Sequence, residues 1–415
     1  MDGVPYSFLE KGIESGKFEN IKRISKESGG LKRYNSVYPT VSSVAWSSYM
    51  TGKNPGEHSI FGFVDRIANP FKLKIPLATD RTAETFWKKL SLEGKKVLVM
   101  NVPLTYPPEK VNGILISCFL TPSIDKAVNP PSYVGYLKEK KYVIDVDPNL
   151  GHKDKRQFMK ELFQALDRRM EVFFDLLNKE DYYLAQCHIM ETDRLNHFFW
   201  GDYEEGGEFK EDFERFYYKL DKWIGETFKL LSENDTFIVL SDHGFCRIKY
   251  NVQINHFLEE EGYLSWEKEL PENITEISKD SLAYSLIPGR IYLNLKGREE
   301  KGNVPLEKYD KIREELKEKL LNLRSPEGEK IIEKVFFREE IYKGKYLENA
   351  ADIIAHPSWG FDLKANVNTF SICEKPKAIE GMHTYEDAVI FGVGINLNRV
   401  NSIEDPLKVL LENSY

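Results

Sequence analysis

The sequence predicts an α/β fold with a mostly parallel central sheet covered by helices on both faces, and two observations carry that expectation. Short apolar, β-branched runs recur along the chain, and long segments with helical spacing of apolar residues lie between them. Strands joined by crossover helices form parallel sheets buried on both faces, so their strands read as continuous apolar runs.

The runs are KVLVMNV (96–102), GILISCF (113–119), YYLAQCHI (182–189), TFIVLSD (236–242) and AVIFGVG (388–394). Helical patterns cover 156–178, 207–231 and 306–322. Three stretches, 54–82, 102–155 and 252–300, are rich in Pro, Gly, Asn or charged residues and read as cap insertions on a single catalytic domain spanning 1–415. No internal repeat or low-complexity segment interrupts the pattern.

A chain of 415 residues with 41% hydrophobic and 30% charged residues can bury a large core and a sizeable cleft. Its net charge of −8 excludes a broad basic surface for a stable nucleic-acid complex. An acidic protein that handles an anionic substrate needs positive charge supplied locally, and bound metal ions are the strongest such source. Cys118, Cys187, Cys246 and Cys373 are scattered without C-x-x-C spacing, which speaks against a zinc ribbon or disulfide framework and for a reducing, cytoplasmic setting. The sequence has no apolar run of transmembrane length and no signal-like N-terminus, so no membrane partner is expected.

Metal-capable side chains stand where the predicted strands end. TFIVLSD runs into His243-Gly244, so Asp242 and His243 leave the carboxyl edge of a strand, where open α/β sheets place ligands. YYLAQCHI leads into Glu191-Thr192-Asp193-Arg194-Leu195-Asn196-His197, and on a helix Asp193 and His197 share one face, about 5–6 Å apart at Cβ. Taken singly, the first pair is a common turn and the second a common surface ion pair. Their joint occurrence at successive strand ends, in a chain with eight histidines, marks a metal centre, with His383 before the last strand as a third element. Finally, Tyr38-Pro39-Thr40-Val41-Ser42 opens a helical segment with Gly52 as its stop, placing Ser42 near free backbone N–H groups suited to a phosphate oxyanion. Alone, that segment reads better as an N-cap by Thr40 or Ser42.

Together, Pro39-Thr40-Val41-Ser42, Thr51-Gly52-Lys53-Asn54-Pro55, His58-Ser59-Ile60, Asp193 through His197, Ser241-Asp242-His243-Gly244 and Gly381-Met382-His383-Thr384-Tyr385 resemble, in order, the motifs of the alkaline phosphatase superfamily, closest to its type I phosphodiesterase/nucleotide pyrophosphatase branch. GRIYLNLKGRE (289–299) is similar to a microbial group described only as phosphohydrolases or phosphomutases. The resemblance implies two divalent ions, zinc or manganese. It assigns one to Asp193, His197 and His383 and the other to Asp2, Ser42, Asp242 and His243, with Ser42 as nucleophile forming a phosphoseryl intermediate on a small-molecule phosphate ester (phosphodiester, pyrophosphate or phosphomonoester).

Two departures bear on substrate and site. Phe63 stands where better-known phosphodiesterases carry a phosphate-binding Asn, which predicts weak activity on generic nucleotide diesters. Asp2 lies at the extreme N-terminus, whereas the family carries this Asp at the end of its first strand. Residues 3–10 read as a turn into a helix, so an apolar strand of about five to six residues is expected upstream of Met1. Ser43-Val44-Ala45-Trp46 after Ser42 lacks the sulfatase pattern, and phosphoglycerate mutases resemble the nucleophile region less. Arg66, Lys53, His58, Asn101 and Arg247 are candidate phosphate contacts without ranking. A phosphomutase using the same intermediate and a non-catalytic metal- or ligand-binding protein on the same fold remain the alternatives.

Overall fold

The computed structural model describes residues 1–412. The chain divides into two compact units. The first comprises 1–53, 77–246 and 378–415, and the second 54–76 and 247–377. The expected insertion at 102–155 lies in the first unit; 252–300 and most of 54–82 lie in the second.

All five strands anticipated from apolar runs form in the first unit. Val97–Met100 pairs in parallel with Gly113–Ile116 on one side and Leu184–Cys187 on the other, and Val128–Asn129 closes one edge antiparallel. Val97, Leu98, Val99 and Met100 are wholly buried, as a strand covered on both faces requires. Ala388–Val393 is instead flanked antiparallel by Lys32–Tyr34 and Phe237–Leu240. Among these seven strands, parallel pairing joins only Gly113–Ile116, Val97–Met100 and Leu184–Cys187. A strand buried on both faces carries the same apolar run whichever way it points, so the pattern does not fix its direction.

Met1 and Asp2 lie between the ends of Leu184–Cys187 and Phe237–Leu240. The Met1 amino group donates to Leu240 O (2.9 Å) and Asp2 N to Ile189 O (3.0 Å). Because Met100 is in register with both Ile116 and Cys187, the loops after these strands leave along one edge.

The helix Lys155–Leu177 starts at Asp154, whose side chain accepts from Gln157 N, and buries Phe158, Leu162, Ala165, Arg169, Val172 and Leu176 at three- and four-residue spacing. Lys210–Phe228 does the same with Phe213, Phe216, Tyr217, Leu220 and Ile224. Phe8, Trp200, Phe213 and Tyr217 meet in an aromatic cluster with ring centroids 4.4–6.0 Å apart. Each such fully buried side chain contributes about 1.5–3 kcal/mol of transfer free energy, and together they anchor the helix Glu191–Glu205 that carries Asp193 and His197.

The second unit has its own antiparallel sheet, Ala283–Leu286, Arg290–Leu293, Ile353–Pro357 and Ile332–Phe337, in that order. Tyr250–Gln253 lies parallel to Phe361–Lys364 and antiparallel to Cys373–Glu374. The stretch read as a cap insertion at 252–300 thus holds two sheet-core strands. Among the described residues no helix is long and apolar enough to cross a membrane.

Candidate active site

Ser42 is the first residue of the helix Ser42–Thr51, which ends at Gly52 in the left-handed region (φ 63°). Neither Thr40 nor Ser42 caps it. Val41 holds the cap position, Thr40 Oγ1 donates to Val37 O (3.1 Å), and Ser42 Oγ points to Asp2 Oδ1 at 3.0 Å and to His243 Nε2 at 3.3 Å. The hydroxyl is thus directed into a cluster of charged groups, and it is 2% exposed as a whole residue.

All seven residues anticipated from the sequence come together in the first unit. Asp193 Oδ1 lies 3.2 Å from His383 Nε2 and 3.4 Å from His197 Nε2, and the two imidazole nitrogens are 3.1 Å apart. Around His243 Nε2 stand Asp242 Oδ2 at 3.2 Å, Ser42 Oγ at 3.3 Å and Asp2 Oδ1 at 3.6 Å. Ligand atoms bound at about 2.0–2.1 Å in a tetrahedron sit roughly 3.3 Å from one another. Both sets have that spacing.

The histidines are oriented as metal ligands are. Nδ1 of His197 faces Gly381 O (2.8 Å), that of His383 faces Thr40 O (3.1 Å) and that of His243 faces Gly244 O (3.0 Å). A ring that donates from Nδ1 to a carbonyl presents an unprotonated Nε2, and here all three Nε2 atoms converge. A further sign is Asp242 Oδ2, which is buried without a hydrogen-bond partner. Groups able to hold a cation include Asp193 with His243 and His383, and Asp2 with Asp242 and His243. These residues fit a divalent cation, with His243 common to both groups.

The electrostatics report the same crowding of anions. Burial, then the charge of Asp2, pushes the Asp242 carboxyl well above its ordinary value. Burial acts the same way on Asp193, but His197 and His383 overcome it and hold that carboxyl well below. Asp2 is likewise lowered against burial, chiefly by its bond to His188. Burial and the neighbouring His383 take His243 down to about 3, while Asp193 raises His383 against its burial.

Two residues at the site escaped the sequence reading. Trp46 Nε1 donates to Asp2 Oδ2 at 2.9 Å, and His188 Nε2 meets the same oxygen at 2.9 Å. Trp46 stands four residues after Ser42 on its helix, a spacing that would have placed it on the same face. Of the candidate phosphate contacts, Asn101 is fully buried with Nδ2 unpartnered, and Tyr142 Oη lies 3.4 Å from its Oδ1. Lys53 is exposed, in the first unit. Arg66, His58 and Arg247 belong to the second unit, as does Phe63. There Arg66 is committed to Glu299 (2.7 Å) and the Tyr292 ring, and His58 Nδ1 accepts from Ile60 N (3.1 Å).

Arg194 connects the centre to open space. Its Nη1 lies 3.6 Å from Asp193 Oδ2, its Nη2 bonds Asp145 (2.6 Å), and it lines a cavity of about 500 Å³ with Phe119, Leu120, Ile124, Tyr142 and Ile144.

The family model for type I phosphodiesterase / nucleotide pyrophosphatase matches residues 1–386. No curated protein matches the chain by sequence. Among solved structures, phosphonoacetate hydrolase from Sinorhizobium meliloti 1021, in complex with phosphonoformate, is 15% identical over 94% of this chain and 87% of that one, with a TM-score of 0.63. An inactive variant of murine ectonucleotide pyrophosphatase/phosphodiesterase 5 in complex with AMP is 15% identical, covering 100% of this chain and 92% of that one, with a TM-score of 0.58. Wild-type alkaline phosphatase PafA is 12% identical over 99% and 94%, with a TM-score of 0.60. At such identities the likeness is one of fold.

Proposed function

Because the chain belongs to the type I phosphodiesterase/nucleotide pyrophosphatase family, we propose that it hydrolyses phosphate esters with two divalent ions, zinc in preference to manganese, through a phosphoseryl intermediate on Ser42. The observation that supports this reading is the convergence of three Nε2 atoms and the carboxylates of Asp2, Asp193 and Asp242, with Ser42 Oγ 3.0 Å from Asp2 Oδ1 and 3.3 Å from His243 Nε2. Mixed carboxylate and imidazole donors suit zinc. Asp193, His197 and His383 would hold one ion; Asp2, Asp242 and His243, with Ser42, the other. Such ions, when bound, lower the pKa of the serine hydroxyl and neutralise charge on the phosphoryl and leaving oxygens.

The chain's own groups supply alignment. Ser42 Oγ is fixed by Asp2 Oδ1 and attacks phosphorus in line; the Oγ–P bond forms as the bond from phosphorus to the leaving oxygen breaks, and the proton lost by the hydroxyl ends on that leaving oxygen. Water then displaces Ser42 from phosphorus, releasing phosphate or a phosphomonoester and restoring the hydroxyl. The helix Ser42–Thr51 directs the positive end of its dipole at the phosphoryl oxygens throughout. The cavity beside Arg194 offers room for the organic group of the ester.

The test is hydrolysis of paired aryl phosphate monoester and diester substrates by chelator-stripped protein supplied with Zn²⁺, Mn²⁺ or Mg²⁺ in turn. Metal-restored turnover of one or both is expected. A protein that binds no divalent ion, or binds two and turns over neither substrate class, overturns the reading.

A further inference from the structure

Asp2 has two carboxylate oxygens in unlike surroundings. Oδ1 faces Ser42 Oγ (3.0 Å) and His243 Nε2 (3.6 Å). Oδ2 receives the Trp46 indole N–H (2.9 Å) and faces His188 Nε2 (2.9 Å). An indole nitrogen is a donor only, and an ionised carboxylate is an acceptor only, so His188 must carry its proton on Nε2. Its Nδ1, buried without a partner, is then a bare lone pair. The two donors are packed together, edge to face, with centroids 4.6 Å apart, and both His188 and Asp2 are buried.

Each carboxylate oxygen has two lone pairs, and on Oδ2 both face donors. We infer that Trp46 and His188 are positioning residues that occupy Oδ2 of Asp2, so that Asp2 offers Oδ1 alone to the ion and nucleophile. Neither residue touches the reacting atoms. Ser42 and Trp46, one turn apart on a single helix, reach the two oxygens of the same carboxylate, so the orientation of Asp2 and that of the nucleophile are set together. The backbone of Asp2 is held as firmly: its N–H donates to Ile189 O and its carbonyl accepts from Thr192 Oγ1 (2.6 Å). A carboxylate free to rotate would chelate through both oxygens and withdraw Oδ1 from Ser42.

The inference rests on the two-ion reading above, and its test separates the two. Trp46→Phe keeps a ring and loses the N–H; His188→Leu loses the donor, and His188→Gln retains one. Zinc stoichiometry and affinity are measured by competition with a chelating dye, alongside kcat, KM and the melting temperature of metal-free protein. Trp46→Phe and His188→Leu are expected to weaken one of two zinc sites about 10–100-fold and to lower kcat with little change in KM, with His188→Gln recovering part of both. A merely structural role would lower the melting temperature and leave zinc affinity and kcat of the folded protein unchanged, which overturns the inference alone. Wild-type protein that takes up no zinc overturns the proposed function and this inference with it.

Discussion

Asp193 Oδ1 lies 3.2 Å from His383 Nε2 across 190 residues of sequence, and His197 completes the triangle from one helical turn away. The group is held by the helix Glu191–Glu205 on one side and the strand Gly381–Thr384 on the other. Replacing Asp193 by Asn keeps the shape and removes the charge that both imidazoles face. Asp193→Asn is expected to reduce tightly bound zinc from two ions per chain to one, with a loss of turnover of at least about 10²-fold. Metal analysis after dialysis against a weak chelator measures this; two retained ions would refute the assignment.

The centre was legible where its geometry is local. Asp193 and His197 share a helix face by spacing alone, and Asp242-His243 follow a strand whose apolar run is unmistakable. His188 was hidden because its partner is Asp2, a relationship made by the fold and not by spacing. The second unit was hidden for another reason. Arg290 sits 1% exposed inside the sheet, paired with Asp65, so a charged residue interrupts the apolar run of a core strand. The turn before it, with Gly289 at φ 60°, looks like loop chemistry although it joins two core strands. Strand direction was unreadable for Ala388–Val393, which is buried throughout most of its length and would carry the same residues in a parallel sheet.

Ser42→Ala removes the hydroxyl bonded to Asp2 and leaves the helix start without a steric change. Turnover is expected to fall by at least about 10³-fold, as for loss of other serine nucleophiles. Stability should change by about 1 kcal/mol, the value of one side-chain hydrogen bond. Steady-state rates and a denaturant melt check both halves, and activity within tenfold of wild type would move the nucleophile elsewhere.

The cavity beside Arg194 makes substrate choice testable. Leu120 lines it, 36% exposed and at φ 71°. Leu120→Trp is expected to lower kcat/KM for a bulky aryl phosphodiester roughly 10–100-fold, the range over which pocket contacts discriminate, while a substrate with only small substituents is little affected. Equal losses on large and small substrates would count against this.

Asp352 supplies a stability prediction independent of the metal centre. It is wholly buried in the second unit and accepts from Leu293 N (2.7 Å), Arg298 Nη1 and Nη2 (2.8 and 2.6 Å) and Tyr309 Oη (2.6 Å). Burial opposes its charge, but the Arg298 hydrogen bonds win and hold the carboxyl below its ordinary value. Asp352→Asn removes the charge that Arg298 faces and leaves the guanidinium with Glu299 (2.8 Å) and Leu293 O (2.8 Å), at a cost of about 1.5–3 kcal/mol near neutral pH. A carboxyl whose folded pKa lies below its unfolded value, about 3.9, contributes stability that is fully present above that value and lost as pH falls through the folded one. Denaturant midpoints of the two proteins should therefore lie far apart at pH 7 and at pH 5.5, and converge as pH is taken below about 4. A gap that stays constant down to pH 3 would mean that the lost stability comes from packing rather than from the charge on Asp352.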